Sequence, residues 1–145
     1  DNEVDATLLA MAGLNRLGMS NIAKEIFEPD IILPAVGQGA LGITCRTDDA
    51  ISIEFLREIN HQNTMICIKC ERAMLAALDG SCNTPVGGLA LIGPNGRLRL
   101  RGMVLSEDGV SCHQVTREGD ISDAELIGND AGAELYKMAA LKGSR

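Results

Sequence analysis

The sequence predicts an α+β fold for residues 61–145: a helix, three antiparallel strands and a second helix, stacked in two layers. Two observations carry this expectation. Between positions 86 and 116 apolar residues recur with a period of two, whereas the flanking stretches, 64–78 and 122–139, repeat with the period of a helix. The tetrads Gly93-Pro94-Asn95-Gly96 and Ser106-Glu107-Asp108-Gly109 then cut the middle stretch into strand-length pieces joined by hairpin turns. Composition allows it: 46% of the 145 residues are hydrophobic, enough for a core. With one Tyr, two Phe and no Trp, that core must be aliphatic.

Taken in order, Asp5 can cap a first helix running through Leu8, Leu9, Met11 and Leu14 to Leu17, with Gly18 just past its end; its apolar character predicts burial. Arg16 falls in the last turn, where the helix dipole favours a cation. A second short helix is expected over 20–27, ended by Pro29-Asp30, then a brief buried strand or extended connection at Ile31-Ile32-Leu33. In Pro34-Ala35-Val36-Gly37-Gln38-Gly39-Ala40 two glycines bracket one polar side chain. That spacing suits a turn, and it lacks the lysine of a phosphate loop. Leu41-Gly42-Ile43-Thr44-Cys45 reads as a strand. Asp48-Asp49 opens a helix whose Ile51, Phe55, Leu56 and Ile59 share one face.

Asn60-His61-Gln62-Asn63-Thr64 breaks that helix and can cap the next, a candidate domain boundary. Over 64–78, Met65, Ile66, Ala73, Met74, Ala77 and Leu78 alternate with Lys69, Glu71 and Arg72, which assigns the charged residues to a polar helix face. Cys67 and Cys70 make a C-x-x-C without the further ligands of a zinc site or the strand-turn context of a redox motif, so two thiols on one helix are the simpler description. Asp79-Gly80 closes the helix, and Pro85 with Gly87-Gly88 keeps the chain from resuming it, so Cys82 sits on a loop. From position alone Cys82 is an ordinary small loop residue; beside a positive group it would be a nucleophile. Strands follow over 86–92, 97–105 and 110–116. Arg97, Arg99 and Arg101 face one way and Leu98, Leu100, Gly102 and Val104 the other, giving one wet face and one over a core. Ser122 and Glu125 can form a capping box for a last helix striped with Ala124, Ile127, Gly128, Ala131, Leu135, Met138 and Ala139.

A formal charge of −7 argues against a phosphate-backbone partner, so no nucleic acid is expected. No apolar run approaches a membrane span, and Asp1-Asn2-Glu3 starts no signal peptide, so no membrane partner is expected. The missing initiator methionine makes the chain read as a fragment. Five scattered cysteines favour a reducing compartment over a disulfide framework. His61 and His113 show no relation to a serine or cysteine that would mark a triad, and no metal site is expected. These residues alone leave a soluble α/β protein with a presentable cysteine.

The motifs go further. Ala10-Met11-Ala12-Gly13-Leu14-Asn15-Arg16-Leu17-Gly18, Leu33-Pro34-Ala35-Val36-Gly37-Gln38-Gly39-Ala40-Leu41-Gly42-Ile43, Cys45-Arg46-Thr47-Asp48-Asp49, Asn60-His61-Gln62-Asn63-Thr64, Glu71-Arg72-Ala73 and Asp79-Gly80-Ser81-Cys82 together resemble the porphobilinogen deaminase (hydroxymethylbilane synthase) family in order and spacing. The resemblance covers essentially this whole chain and the C-terminal half, or slightly less, of the family's chain.

It implies a fragment of an α/β multidomain transferase: 1–36 ending a central domain of a periplasmic-binding-protein-like pair, 37–60 a strand and helix returning to the first domain, and 61–145 the cofactor-carrying α+β domain. The implied activity condenses four porphobilinogen molecules into hydroxymethylbilane with loss of ammonia, in haem and chlorophyll biosynthesis. Growth occurs on a dipyrromethane held by thioether to a loop cysteine, and the match puts that role on Cys82. Arg16 matches an arginine that binds pyrrole carboxylates; Ala10, Gln38 and Gly39 match positions bordering the same cleft. The family's catalytic aspartate and other cleft arginines lie upstream of Asp1, so the fragment alone is expected to be inactive and to need the missing N-terminal half as partner. Ser81 stands where glycine is common, with little effect expected. The full-length protein is expected to be a cytoplasmic monomer, or plastidic if a transit peptide lies upstream. Two other readings remain at this point: a non-catalytic α+β interaction domain with Cys82 as a plain loop residue, and a redox or metal protein using Cys67 and Cys70.

Overall fold

The structure is a computed structural model and describes residues 4–78, 85–106 and 108–140. Contacts divide the chain into two compact units, Asp1–Ile32 and Leu33–Arg145. The second contains the predicted α+β arrangement: α3 (Gln62–Ala77), then β1 (Val86–Ile92), β2 (Leu98–Leu105) and β3 (Cys112–Gly119), then α4 (Ala124–Ala140). The strands form one antiparallel sheet in the order β1-β2-β3, with Gly88 opposite Gly102 and Gly102 opposite Val115. Both hairpins form at the predicted tetrads: Gly96 N–H donates to the Gly93 carbonyl at 2.9 Å, and Gly109 N–H to that of Ser106 at 2.9 Å.

Alternation along β2 explains the layering. Leu98, Leu100, Gly102 and Val104 are buried and face the helices, while Arg97 and Arg99 are exposed. Arg97 pairs with Glu118 at 3.0 Å and Asp120 at 3.7 Å, so part of the basic row is answered by strand-edge acids. Cys70 and Met74 of α3, Ala90 of β1, Val115 of β3, and Ile127, Ala131 and Leu135 of α4 complete an aliphatic core. The two helices pack closely because Gly128 and Gly132 face α3. A Cβ at either position would collide with backbone atoms of Cys70 or Met74. Arg117 ties β3 to α4 through Asp130 and Glu134.

His61 caps α3, its Nδ1 accepting from the Thr64 N–H at 3.3 Å, as the break before this helix predicts. Ser122, expected as a capping box, lies instead in a single 3-10 turn, Ile121–Asp123, that runs straight into α4. Glu71 departs further: expected on the polar face of α3, it is 4% exposed.

The N-terminal stretch differs from expectation. α1 is only Met11–Arg16, begun at Ala10, and of its residues only Leu14 is buried; Leu8, Leu9 and Leu17 are exposed. A unit this short cannot enclose its own apolar side chains. Over 20–27 a 3-10 turn, Ser20–Ile22, replaces the expected helix, since a short helix without packing is marginal. Ile31 and Ile32 are exposed rather than in a buried strand. Residues 41–45 form no strand, and Leu41 is 96% exposed. A strand exists through its neighbour's hydrogen bonds, and among the described residues none pairs with this one. α2 (Ala50–Ile59) forms as predicted, with Asp49 accepting from the Ser52 N–H at 3.0 Å, but its Ile51, Phe55 and Ile59 face outward.

Candidate functional site

The sequence-derived site residues fall in three places. Cys82 lies outside the described residues; in sequence it stands between the end of α3 at Ala77 and the start of β1 at Val86. Ala10 and Arg16 bracket α1, in the unit Asp1–Ile32. Gln38 and Gly39 lie on the turn ahead of α2, in the unit Leu33–Arg145.

α1 is held at both ends by backbone bonds. The Ala10 carbonyl accepts from Gly13 and Leu14, at 3.0 and 3.3 Å. At the other end Met19 N–H donates to the Leu14 carbonyl at 2.9 Å and Gly18 N–H to that of Asn15 at 3.1 Å, a Schellman closure made possible by Gly18 at φ 68°. Arg16 is therefore the last residue of a firmly ended helix. It is exposed, and among the described residues no ion pair occupies its guanidinium. A planar fork with free donors is suited to a carboxylate.

The Gly-Gln-Gly turn is built against the α+β layer. Ala35 makes a single antiparallel bridge to Gly87, and Gly88 N–H donates to the Pro34 carbonyl at 2.8 Å. Val36 packs on the core. Two successive turns follow, closed by Gln38 N–H to Ala35 O at 3.0 Å and Ala40 N–H to Gly37 O at 3.1 Å. Gly37 and Gly39 have φ of 74° and 84°, a region that resists a Cβ. Gln38 is thus presented to solvent between two residues of left-handed backbone.

Residue-type reasoning missed what secures this turn. Glu71 Oε2 accepts from the Gly37 N–H at 2.7 Å, and its Oε1 accepts from the Ala90 N–H of β1 at 2.8 Å. One buried carboxylate thereby joins α3, the central part of β1 and the turn. A signal was available: Glu71 lies four residues after Cys67 and three before Met74, on the apolar stripe rather than opposite it.

Cys67 and Cys70 are free thiols on α3. Burial, with the neighbouring Cys67 and Glu71, pushes the Cys70 thiol from an ordinary value of 9.0 up to about 12. Burial, then the charge of Glu71, also raises Cys67. Both are therefore held in the protonated form, the opposite of what metal ligation or thiolate chemistry needs. Among the described residues no His, Cys, Asp and Glu side chains cluster as a metal site, and no helix is long and apolar enough to cross a membrane.

Two family models match this chain. Residues 65–137 match "Porphobilinogen deaminase, C-terminal domain", and residues 1–54 match "Porphobilinogen deaminase, dipyromethane cofactor binding domain". Cys82 falls within the span of the first, and Ala10, Arg16, Gln38 and Gly39 within that of the second. Porphobilinogen deaminases of Nitrobacter hamburgensis and Nitrobacter winogradskyi are each 46% identical over 140 residues, covering 97% of this chain and 44% of the relative. The chloroplastic enzyme of Pisum sativum is 46% identical over 138 residues, 94% of this chain and 37% of its own. The chain spans less than half the length of these curated relatives, and at this identity, with both domain models matching, it belongs to the porphobilinogen deaminase family.

Proposed function

We propose that this chain is the C-terminal part of a porphobilinogen deaminase, a transferase that condenses porphobilinogen into hydroxymethylbilane with release of ammonia, and that it contributes the cofactor anchor Cys82. The observation that carries this is the coincidence of two family models, in order, over nearly the whole chain. Residues 61–145 are the anchor-bearing domain; 1–36 close the central domain of a periplasmic-binding-protein-like pair, and 37–60 return to its first domain. The exposed apolar face of α2 and the unpaired stretch 41–45 support that return, because both carry the pattern of packed elements without a neighbour in the described residues.

The residues present suit a dipyrromethane. Arg16 offers an exposed guanidinium with no ion-pair partner among the described residues, and a pyrrole's acetate and propionate are carboxylates it can grip bidentately. When bound by thioether, the group supplies the primer on which the pyrrole chain lengthens. Cys82 serves as an anchor rather than a turnover nucleophile: a soft sulfur forms one durable C–S bond and then holds. Ala10 fixes where α1 begins and hence where Arg16 ends it. Gln38 and Gly39 form a border whose backbone can pass close to a ligand.

Intact-mass measurement on the full-length protein tests the reading. A dipyrromethane adduct is expected, and it disappears in Cys82→Ser; an active preparation with a bare thiol would exclude the anchor. Condensation of porphobilinogen is expected from the full-length protein and absent from this chain alone, since the cleft residues implied upstream are not in it.

A further inference from the structure

The one buried charged side chain among the described residues is Glu71, and both of its oxygens are engaged by backbone N–H groups of different segments. A carboxylate removed from water is costly unless its hydrogen bonds are complete, and here one oxygen is satisfied by β1 and the other by Gly37. The attachments of 33–37 to the α+β layer are otherwise upstream of the site: the Ala35 bridge, the Pro34 carbonyl and the Val36 side chain. Glu71 holds the residue next to Gln38. Release of that bond frees the two left-handed turns to pivot about Val36.

We propose that Glu71 is a positioning residue. Its carboxylate is a two-pronged clip that sets Gln38 and Gly39 against α3 and β1, the elements that flank Cys82 in sequence, so that the border of the site moves as one piece with that helix and strand. The proposal rests on the reading of Cys82, Gln38 and Gly39 given above. Glu71 does no chemistry itself, since it is buried and both oxygens are occupied. Glutamine in its place would set an NH2 group against one of two N–H donors, so it cannot hold both segments; aspartate keeps the charge but is one methylene short of spanning them.

The test uses the full-length protein with Glu71→Gln, Gln38→Ala and the double variant. Amide hydrogen exchange at Gly37 reports the clip directly: exchange roughly 10- to 100-fold faster in Glu71→Gln, with β2 and β3 unchanged, is expected. Unaltered protection of Gly37 overturns the clip. In kinetics, Glu71→Gln lowers kcat/KM for porphobilinogen about tenfold or more while the adduct on Cys82 remains by intact mass. Gln38→Ala then costs much less in the Glu71→Gln background than in the wild type, because the clip acts through the turn. A purely structural Glu71 gives additive losses, or lower thermal stability with kcat and KM unchanged, and either result overturns positioning. Should Glu71→Gln not fold, Glu71→Asp takes its place with the same expected exchange and coupling. A bare Cys82 in the wild-type protein would sink the assignment of the site, while exchange at Gly37 still decides the clip, so the two failures are told apart.

Discussion

Residues 62–140 and residues 4–60 are both rich in aliphatic side chains, yet among the described residues all of the buried hydrophobic residues but Leu14 belong to the first stretch. The difference is not one of propensity. α2 has a good cap and an apolar face as clear as that of α4, but α4 meets α3 and the sheet, whereas the face of α2 meets solvent. Local sequence decides whether a helix forms; an opposing surface decides whether its stripe becomes a core.

The largest test of this contrast replaces one apolar side chain in each region of this chain. Met74→Ala removes a fully buried side chain at the centre of the core and is expected to cost about 2–5 kcal/mol in urea unfolding. Phe55→Ala on α2, 71% exposed, is expected to stay within about 0.5 kcal/mol. Equal costs would break the comparison.

A smaller effect is expected where α3 and α4 touch. Gly132→Ala forces a methyl into the backbone of Met74 and should destabilise by about 1–3 kcal/mol. Ala133→Gly on the exposed side of α4 should cost no more than about 1 kcal/mol, the helix-propensity difference alone. An equal loss at both positions would show that the helices are not in backbone contact.

The third contrast depends on pH. Cys70 keeps its proton in the fold up to about 12, while the unfolded chain releases it above the ordinary value of 9.0. Its contribution is therefore complete below 9.0 and lost as pH rises toward 12, because the unfolded state then binds fewer protons. Chemical denaturation across that range should show stability falling with pH, and less steeply in Cys70→Ala. Exposed Cys45 should alkylate at neutral pH where Cys70 does not. Equal labelling would overturn the protonated, enclosed thiol.

The sheet was legible because alternation and turn chemistry agree: β1 matches expectation residue for residue, and β2 and β3 differ only at their ends. In 41–45 the same alternation forms no strand, since a ladder needs a partner and none of the described residues supplies one. Glu71 escaped because its charge outweighed its place on the stripe, and the hydrogen bonds that make the burial possible come from residues 34 and 19 positions away. Arg16 and Cys82 could not be told from a helix cap and a loop residue by residue type; only the order and spacing of whole motifs set them apart. Even then the motifs propose roles for them and carry no geometry.

The paired glycines of α4 also bear on how far this sequence can drift. Substitutions can accumulate at Glu125, Leu126, Asn129 and Ala133, which face solvent, without any neighbour having to answer them. At 128 and 132 there is no free volume to fill, and the nearest atoms in the way belong to the main chain, which no partner substitution can shorten. Change at those two positions has to come as a shift of whole helices, and Gly132 abuts the last turns of α3, so such a shift would be felt first at the entrance to the segment that holds Cys82.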